Sequence, residues 1–234
     1  MSQSFRLVTA NLLHERGDAA AVADLLDTHR PDVVVTQELG PAASKVIAAR
    51  FHHRRLLPAA DFTGRGIATR FPARFGEFDM PRRPGIWALV EVDGTKLRIA
   101  NVHLANPISF PWWSAVRARS GQLDALFEWL ERDDAPTVVA GDFNASPIWP
   151  VYKRVAARLT DVVSAHAEAT GVDPERTWGW RPGWRRLLRI DHVFATPELV
   201  ANAVSVEPLS GSDHWALVVD LEISGPERLG GHGS

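Results

Sequence analysis

Cysteine is absent from the 234 residues of the sequence. This absence excludes disulfide bonds, thiolate metal sites and cysteine nucleophiles, so any bound metal must use oxygen or nitrogen ligands. An excess of charge of one sign is also absent, because 26 Lys and Arg residues oppose 28 Asp and Glu residues and the formal net charge is −2. That balance excludes a globally basic nucleic-acid-binding protein, although a local basic patch is compatible with it.

Long apolar runs are missing as well. No segment approaches the roughly 18 to 20 apolar residues that a membrane span needs, and the N-terminal segment has no basic region followed by an apolar one, as a secretion signal would. We therefore expect a cytoplasmic monomer without a membrane span. Apolar residues make up 45% and charged residues 23% of the sequence, which is typical of globular domains and excludes disordered and fibrous classes.

Hydrophobic patterning predicts both strands and helices along the whole sequence. Residues 33–35 are three consecutive valines, typical of a strand buried on both faces. Residues 123–130 carry Leu and Phe at helical spacing. The predicted strands cover residues 5–11, 33–35, 66–70, 86–92, 96–103, 137–140, 189–195, 201–206 and 215–223, and the predicted helices cover 19–30, 41–51 and 113–132.

The distribution of these elements predicts one domain. No change in composition and no linker rich in serine or glycine interrupts residues 1–223. We therefore predict a single α/β domain there, in which helices cover the sheets. Residues 224–234 are glycine-rich and end the periodicity, so they are predicted to form a flexible C-terminal tail.

Polar side chains that can bind metal or phosphate recur at the ends of the predicted strands. They are Asn11, Gln37, Glu38, Asn101, His103, Asp142, Asn144, Asp213 and His214, with Asp191 inside a further strand. Carboxylates, amides and imidazoles that meet at one sheet edge can bind a hard cation and place proton-transfer groups beside it. A single residue of this kind is more often a turn former or a helix cap. The recurrence at six places favours a catalytic site.

The spacing within residues 141–144 has a chemical reason. Strand alternation places Asp142 and Asn144 on the same side and directs Phe143 into the core. Gly141 allows the backbone to approach a ligand closely, although a turn explains this glycine equally well.

Asp191 is positioned to accept a hydrogen bond from a histidine ring and to fix its tautomer. His14 and the other histidines without paired ligands are predicted to be surface or packing residues.

Together these motifs resemble those of the endonuclease/exonuclease/phosphatase superfamily, which comprises metal-dependent phosphoesterases such as apurinic endonucleases, deoxyribonucleases and neutral sphingomyelinases. The resemblance covers residues 5–221, and eight motifs occur in the family order. They are Thr9-Ala10-Asn11, Pro31-Asp32 through Gln37-Glu38, residues 66–72, Asn101-Val102-His103-Leu104, Arg119 with Gln122, Gly141-Asp142-Phe143-Asn144, Arg189-Ile190-Asp191-His192 and Ser212-Asp213-His214. Any one of them is weak evidence, but eight in order are specific.

The resemblance implies a four-layer α/β sandwich, in which two packed mixed β-sheets are flanked by helices. It also implies one or two Mg²⁺ or Mn²⁺ ions, bound by Glu38 with Asn11 and Asp213 in or next to the same shell. Some polynucleotide-cleaving relatives carry a further Asp where this sequence has Leu13. A second acidic metal contact therefore stays open.

The resemblance assigns catalytic roles to five residues. Asp142 would activate or orient the attacking water, and Asn144 would hold that water or a phosphate oxygen. His214, polarised by Asp191, would bind the phosphoryl oxygens and stabilise transition-state charge. His103 would contact the phosphate or assist the leaving group. Either Asp142 or His214 could be the general base.

Residues 177–189 form the one locally basic and aromatic segment. Its arginines could bind phosphate while its tryptophans stack on a base, or the tryptophans could pack a loop beneath a solvated arginine face. A second apolar segment at residues 110–113 would instead suit a lipid or aryl ester. The predicted substrate-binding residues are Arg119, Trp178, Arg181, Arg185 and Arg186.

The sequence therefore predicts a divalent-metal-dependent hydrolase that cleaves phosphoester bonds, chiefly phosphodiesters, by in-line attack of an activated water. Its substrate would be a small diester or a nucleic acid, and the net charge leans slightly toward the small diester. A DNA or RNA nuclease is the alternative within the same family. A non-catalytic relative that only binds phosphorylated ligands is a further alternative, but such a binder has no need of the complete polar set.

Overall fold

Two six-stranded mixed sheets form the centre of the fold in the computed structural model, which describes residues 3–14, 16–108 and 111–223. Elements are numbered in chain order. Sheet A has the strand order β11-β12-β1-β2-β4-β3 and sheet B the order β5-β6-β7-β8-β10-β9. The predicted tail, residues 224–234, and Phe110 of the second apolar segment lie outside the described residues.

The strands of sheet A are β1 (Gln3–His14), β2 (Val33–Leu39), β3 (His53–Leu57), β4 (Arg65–Thr69), β11 (Leu199–Glu207) and β12 (Ala216–Ile223). Those of sheet B are β5 (Ala73–Phe78), β6 (Gly85–Val92), β7 (Thr95–His103), β8 (Thr137–Asp142), β9 (Thr160–Asp161) and β10 (Asp191–Ala195).

Helices cover the outer faces of both sheets. α1 (Ala19–His29) and α2 (Pro41–Ala48) pack on sheet A, and α3 (Trp112–Leu130) and α4 (Pro150–Ala156) pack on sheet B. Helix α5 (Val162–Thr170) instead contacts β10 and β11, and its residues Val162 and Val163 join the apolar layer between the sheets. Alternation along each strand explains the layering: in β2, Val33 and Val35 pack in the apolar layer between the sheets, whereas Val34 packs against α1 and α2. In β8, Val138 faces sheet A and Val139 faces α3 and α4. The predicted four-layer α/β sandwich is confirmed.

Several elements differ from the sequence prediction. The strands β3, β5 and β9 and the helices α4 and α5 were not predicted, and α2 ends at Ala48 rather than at residue 51. Asp93 and Gly94 form the hairpin between β6 and β7, and both residues have positive φ. No helix of the described residues has the length and apolar character needed to cross a membrane.

Strand pairing brings the ends of five strands to one edge of the sandwich. β1 and β2 are parallel, with Asn11 opposite Gln37, and β7 and β8 are parallel, with His103 opposite Asp142. β10 runs antiparallel to β8, so its first residue, Asp191, also lies opposite Asp142. Polar residues that are distant in sequence therefore meet at this edge.

A buried ion pair lies on the helix-covered side of sheet B. Asp161 accepts hydrogen bonds from Arg189 Nη1 and from the Tyr152 hydroxyl, both at 2.7 Å, and its carboxylate caps helix α5. Burial alone would raise the pKa of the Asp161 carboxyl, but the hydrogen bond and charge of His192, the charge of Arg189 and the Tyr152 hydroxyl hold this pKa well below its usual range. The pair therefore fixes the strand that carries Asp191.

Asp161→Asn should lower the free energy of unfolding by about 3 kcal/mol at pH 7, because it leaves Arg189 buried without a counter-charge. The Asn side chain still caps α5, so the loss reports the charge. Since the pKa of Asp161 is lower in the folded state, its stabilising effect is complete above the unfolded value of about 3.9 and is lost as pH falls through the folded value.

Urea unfolding at pH 7 and pH 3 measures this difference. The exposed Asp173→Asn is the matched control and should behave as the wild type. Equal stability of Asp161→Asn and wild type at pH 7 would contradict the prediction.

Candidate active site

Asp142 lies at the centre of the polar cluster, at the last position of β8. Its carboxylate accepts hydrogen bonds from Asn144 Nδ2 at 3.1 Å and Asn11 Nδ2 at 3.2 Å, and from the Asn144 backbone N–H at 2.8 Å. The Asp142 Oδ2 atom is 3.4 Å from His103 Nε2 and 3.9 Å from His214 Nε2. The side chains of Asp142 and Asn144 thus share one side, as alternation predicts, while Phe143 is buried in the core.

Two histidines determine the ionisation of Asp142. Burial alone would raise the pKa of the Asp142 carboxyl, but its hydrogen bond to His103 and the charges of His214 and His103 hold this pKa below its ordinary range. Asp142 is therefore a carboxylate at neutral pH. It can accept a proton or a hydrogen bond but cannot donate one.

His214 and Asp191 form a buried ion pair beside Asp142. His214 Nδ1 is 2.9 Å from one carboxylate oxygen of Asp191 and 3.1 Å from the other. Burial alone would lower the pKa of His214, but Asp191 and the charges of Asp142 and Asp213 raise it to about 10. His214 is therefore protonated at neutral pH and directs Nε2 toward Asp142.

Gly141 allows β8 to approach β7 closely. Its φ is +143°, and a Cβ atom at this position would lie 2.0 Å from the Val102 carbonyl oxygen and 3.0 Å from Gln37 Nε2. Any side chain would push the two parallel strands apart. The glycine is thus required where Asp142 is brought beside His103.

Glu38 and Asn11 join the two sheets at the site. Glu38 is half-buried next to the last residue of β2 and has a positive φ of 49°. Its Oε1 atom lies 3.3 Å from Asn11 Nδ2 and 3.9 Å from His103 Nε2. His14, predicted to be a surface or packing residue, is half-buried, and its Nε2 atom lies 3.9 Å from Glu38 Oε2. The carboxylate of Glu38 in sheet A thus lies beside the imidazole of His103 in sheet B.

The oxygen donors of this edge fit a hard divalent cation. The Glu38 carboxylate accepts only a long hydrogen bond, from Asn11 Nδ2 at 3.3 Å, among the described residues. Asp213 Oδ1 is buried with no hydrogen-bond partner among them. The other oxygen, Asp213 Oδ2, accepts a hydrogen bond from Trp178 Nε1 at 3.1 Å. Mg²⁺ and Mn²⁺ prefer such oxygen ligands. The residues present are therefore compatible with a bound ion.

A second cluster of the site, formed by two carboxylates and a histidine, is less suited to binding a metal ion. Asp142, Asp191 and His214 bring one potential ligand atom each to within 4.8 Å of one another. Because His214 Nδ1 is already paired with Asp191 and the imidazole is protonated, this group is better suited to proton transfer and charge stabilisation than to metal binding.

A cleft of about 990 Å³ opens over these residues. Of the predicted site residues, it is lined by Glu38, His103, Asp142, Asn144, Trp178, Asp213 and His214. Asn11 and Asp191 contact this lining from beneath, through Asp142 and His214. The structure thus brings together all eight residues predicted to be catalytic or to bind metal.

The predicted substrate-binding arginines lie outside the cleft lining. Arg119 is buried and donates to the carbonyl oxygens of Ala105 and Asn144. Arg186 packs over the Trp215 ring and donates to the Asp213 carbonyl oxygen. Trp180, Arg181, Trp184 and Arg185 are exposed, and of these four residues only Trp180 lines the cleft.

Arg82 and Arg83 line the cleft but were not predicted. They lie between Pro81 and Pro84 in the loop that joins β5 and β6. Arg83 Nη1 is 2.7 Å from His103 Nδ1. Two adjacent arginines between prolines were the available signal, because such a segment cannot continue a strand and still carries concentrated charge.

The comparisons with known proteins agree with this geometry. The sequence model of the Endonuclease/Exonuclease/phosphatase family matches residues 8–214. No curated protein sequence matches this chain. Among solved structures, the human Nocturnin catalytic domain with a bound sulfate anion is 18% identical, with a TM-score of 0.72 over 94% of this chain and 95% of that chain.

Two further solved structures are similar at this level. D. rerio TDP2 complexed with a single-strand DNA product is 20% identical, with a TM-score of 0.72 over 93% of this chain and 98% of that chain. A conserved protein of unknown function from Enterococcus faecalis V583 is 18% identical, with a TM-score of 0.74 over 92% and 98%. These likenesses show the shared fold. Because the family match extends over most of the chain and contains the whole polar cluster, the chain belongs to the endonuclease/exonuclease/phosphatase family.

Proposed function

We propose that this protein is a divalent-metal-dependent hydrolase of phosphodiester bonds. The observation that carries the proposal is the position of Asp142, an ionised carboxylate held by Asn11 and Asn144 between His103 and the protonated His214. A water molecule on Asp142 and an anionic phosphate on His214 would be neighbours in the same cleft. That pairing of an acceptor with a cation is what hydrolysis of an anionic ester needs.

The negatively charged Asp142 and the positively charged His214 have different roles in this proposal. Asp142 orients the attacking water and accepts its proton, with Asn144 fixing the carboxylate. His214, kept protonated by Asp191, donates a hydrogen bond from Nε2 to a phosphoryl oxygen and offsets the negative charge that builds there. Because the pKa of His214 is about 10, Asp142 is better placed than His214 to act as the base at neutral pH.

Glu38, with Asn11 and Asp213, would hold the divalent ion. A bound Mg²⁺ or Mn²⁺ neutralises charge on a phosphoryl oxygen, an effect of several kcal/mol on the barrier. The buried, unpartnered Asp213 Oδ1 atom supports this assignment, since a buried carboxylate oxygen without a partner is costly.

Removal of divalent ions should abolish turnover of bis(4-nitrophenyl) phosphate, and added Mg²⁺ or Mn²⁺ should restore it. Glu38→Gln should raise the Mn²⁺ concentration for half-maximal activity at least about tenfold, because a neutral amide binds a hard cation weakly. The same variant should reduce the rise in melting temperature that Mn²⁺ produces, which is independent of turnover.

Glu91→Gln, the same change at an exposed position of β6, is the control for that variant. Full activity of EDTA-treated protein would reject the metal requirement.

The nuclease alternative rests on a specific likeness. The D. rerio TDP2 structure contains a single-strand DNA product, and the cleft of this chain is lined by Trp178 and Trp180, whose rings lie edge to face with centroids 5.7 Å apart. Aromatic faces of this kind stack on bases. A panel of bis(4-nitrophenyl) phosphate, 4-nitrophenyl phosphate, single- and double-stranded DNA, RNA and sphingomyelin decides between these substrates. Turnover of the monoester alone would reject the diesterase proposal.

A further inference from the structure

Arg83 is a buried cation in the wall of the cleft. Only 8% of the residue is exposed, and its backbone N–H is tied to the Pro81 carbonyl oxygen at 2.9 Å. Its Nη2 atom donates to the Leu104 carbonyl oxygen at 3.0 Å, and its Nη1 atom lies 2.7 Å from His103 Nδ1. The guanidinium is therefore held at the side of the site where His103 approaches Asp142.

The charge of Arg83 lacks a direct counter-charge. Within the described ranges, no carboxylate forms an ion pair with it, and its Nε atom is buried without a hydrogen-bond partner. Burial lowers the pKa of Arg83, and the charges of Asp142 and Glu38 oppose this effect only from a distance. Arg189, also buried, differs because Asp161 lies 2.7 Å away. A buried cation without a paired anion is costly, so Arg83 is suited to an anion that enters the cleft.

Arg82 extends this positive charge outward. It is exposed and lines the same cleft. Its Nη2 atom donates to Ser114 Oγ at 2.7 Å on helix α3. The two arginines thus lie at different depths, with Arg83 at the reacting centre and Arg82 at the rim.

The cleft lining also includes the apolar residues Trp178, Trp180, Leu188 and Ile190. A ligand whose phosphates run along the arginines would therefore place its uncharged parts against tryptophan. This arrangement differs from the predicted phosphate contact by Arg181 and Arg185, which do not line the cleft.

We propose that Arg83 and Arg82 form an anion track, in which Arg83 binds an oxygen of the reacting phosphate and Arg82 binds the next phosphate of the substrate. The inference rests on the proposed function and deepens it: the preferred substrate is an ester with successive phosphates, of which a short single-stranded oligonucleotide is the test compound. Arginine suits both positions because its planar guanidinium binds phosphate oxygens in pairs.

The test compares pentathymidylate, which has successive phosphates, with bis(4-nitrophenyl) phosphate, which has one. Arg83→Gln should lower kcat/KM about 100-fold on both substrates, and Arg83→Lys should recover part of this loss because it keeps the charge. Arg82→Gln should lower the ratio of kcat/KM for pentathymidylate to that for the small diester about tenfold. It should also flatten the slope of log KM against log salt by about 0.7, the value for one phosphate contact on a single strand.

Arg74→Gln, at an exposed position of β5, is the matched control and should keep both activities. An unchanged substrate ratio and salt slope in Arg82→Gln would overturn the track. Wild-type kcat/KM on both substrates in a well-folded Arg83→Gln protein would overturn the part assigned to Arg83.

Binding of fluorescein-labelled pentathymidylate in EDTA, measured by anisotropy, separates the two proposals. If the protein hydrolyses neither substrate but its affinity for pentathymidylate depends on Arg82 and Arg83, the anion track is kept and the proposed function is rejected. If the protein hydrolyses both substrates and neither arginine affects the rates, the anion track is rejected and the proposed function is kept. Absence of any pentathymidylate binding or cleavage would also overturn the track.

Discussion

Asp142→Asn should lower kcat about 100-fold or more, because it removes the acceptor for the water proton while it keeps the shape of the side chain. The effect should appear in kcat rather than KM, since a base acts in the transition state and contributes little to substrate binding. The measurement is the steady-state rate on bis(4-nitrophenyl) phosphate at saturating Mg²⁺, together with far-UV circular dichroism to verify the fold.

Asp93→Asn is the matched control for this variant. It makes the same change at the exposed hairpin between β6 and β7, where Asn accepts a positive φ readily. Its rate should equal that of the wild type. A well-folded Asp142→Asn protein with wild-type kcat would remove Asp142 from the mechanism.

His214→Ala should also lower kcat about 100-fold or more, and Asp191→Asn should produce a loss of similar size. Asp191 acts through His214, since its carboxylate holds the imidazole at 2.9 Å and keeps it protonated. The losses should therefore not add: in the double variant, Asp191→Asn should cost little beyond His214→Ala. The four kcat values of this cycle are the measurement.

Independent losses would contradict this account. If the double variant showed the product of the two single effects, Asp191 would act on catalysis by a route other than His214. Asp191→Glu distinguishes a charge effect from a positional one, because it keeps the charge but displaces the carboxylate by one methylene group. A rate for Asp191→Glu equal to that of Asp191→Asn would show that position matters more than charge.

The central strands of both sheets could be predicted from the sequence, whereas three edge strands could not. β2 and β8 are covered on both faces and carry continuous apolar runs. β3, β5 and β9 lie at the edges of their sheets. Edge strands have few core contacts and often carry charge, which weakens the alternating pattern. The segment His53–Leu57, with two arginines in five residues, illustrates this effect.

The polar cluster was predictable because its members follow buried strands, whose ends meet at one edge of a sandwich. The positions of the arginines were not predictable. Arg186 lies two residues before the cleft residue Leu188, yet its guanidinium packs on Trp215. Arg83 is far from every motif and reaches His103 through the fold of a loop between two prolines. Loop geometry of this kind has no periodic signature.

Pairing between β1 and β12 determines which of the two sheets can form first during synthesis. β1 lies between β2 and β12, with Gln3 opposite Ile223, so sheet A stays incomplete until β12 leaves the ribosome. At 5 to 20 residues per second, that delay is on the order of tens of seconds. Sheet B, built from residues 73–195, is contiguous in the chain and can form earlier.

The site is therefore completed late. Asp142 and His103 can be in place with sheet B, but Asp213 and His214 lie shortly before β12 and are translated after all of sheet B. During the delay β1 presents an unpaired edge that can pair with another nascent chain, a known route to aggregation. Slow synthesis anywhere between β1 and β12 would prolong this exposure, so the yield of active protein should fall when translation of that segment is slowed.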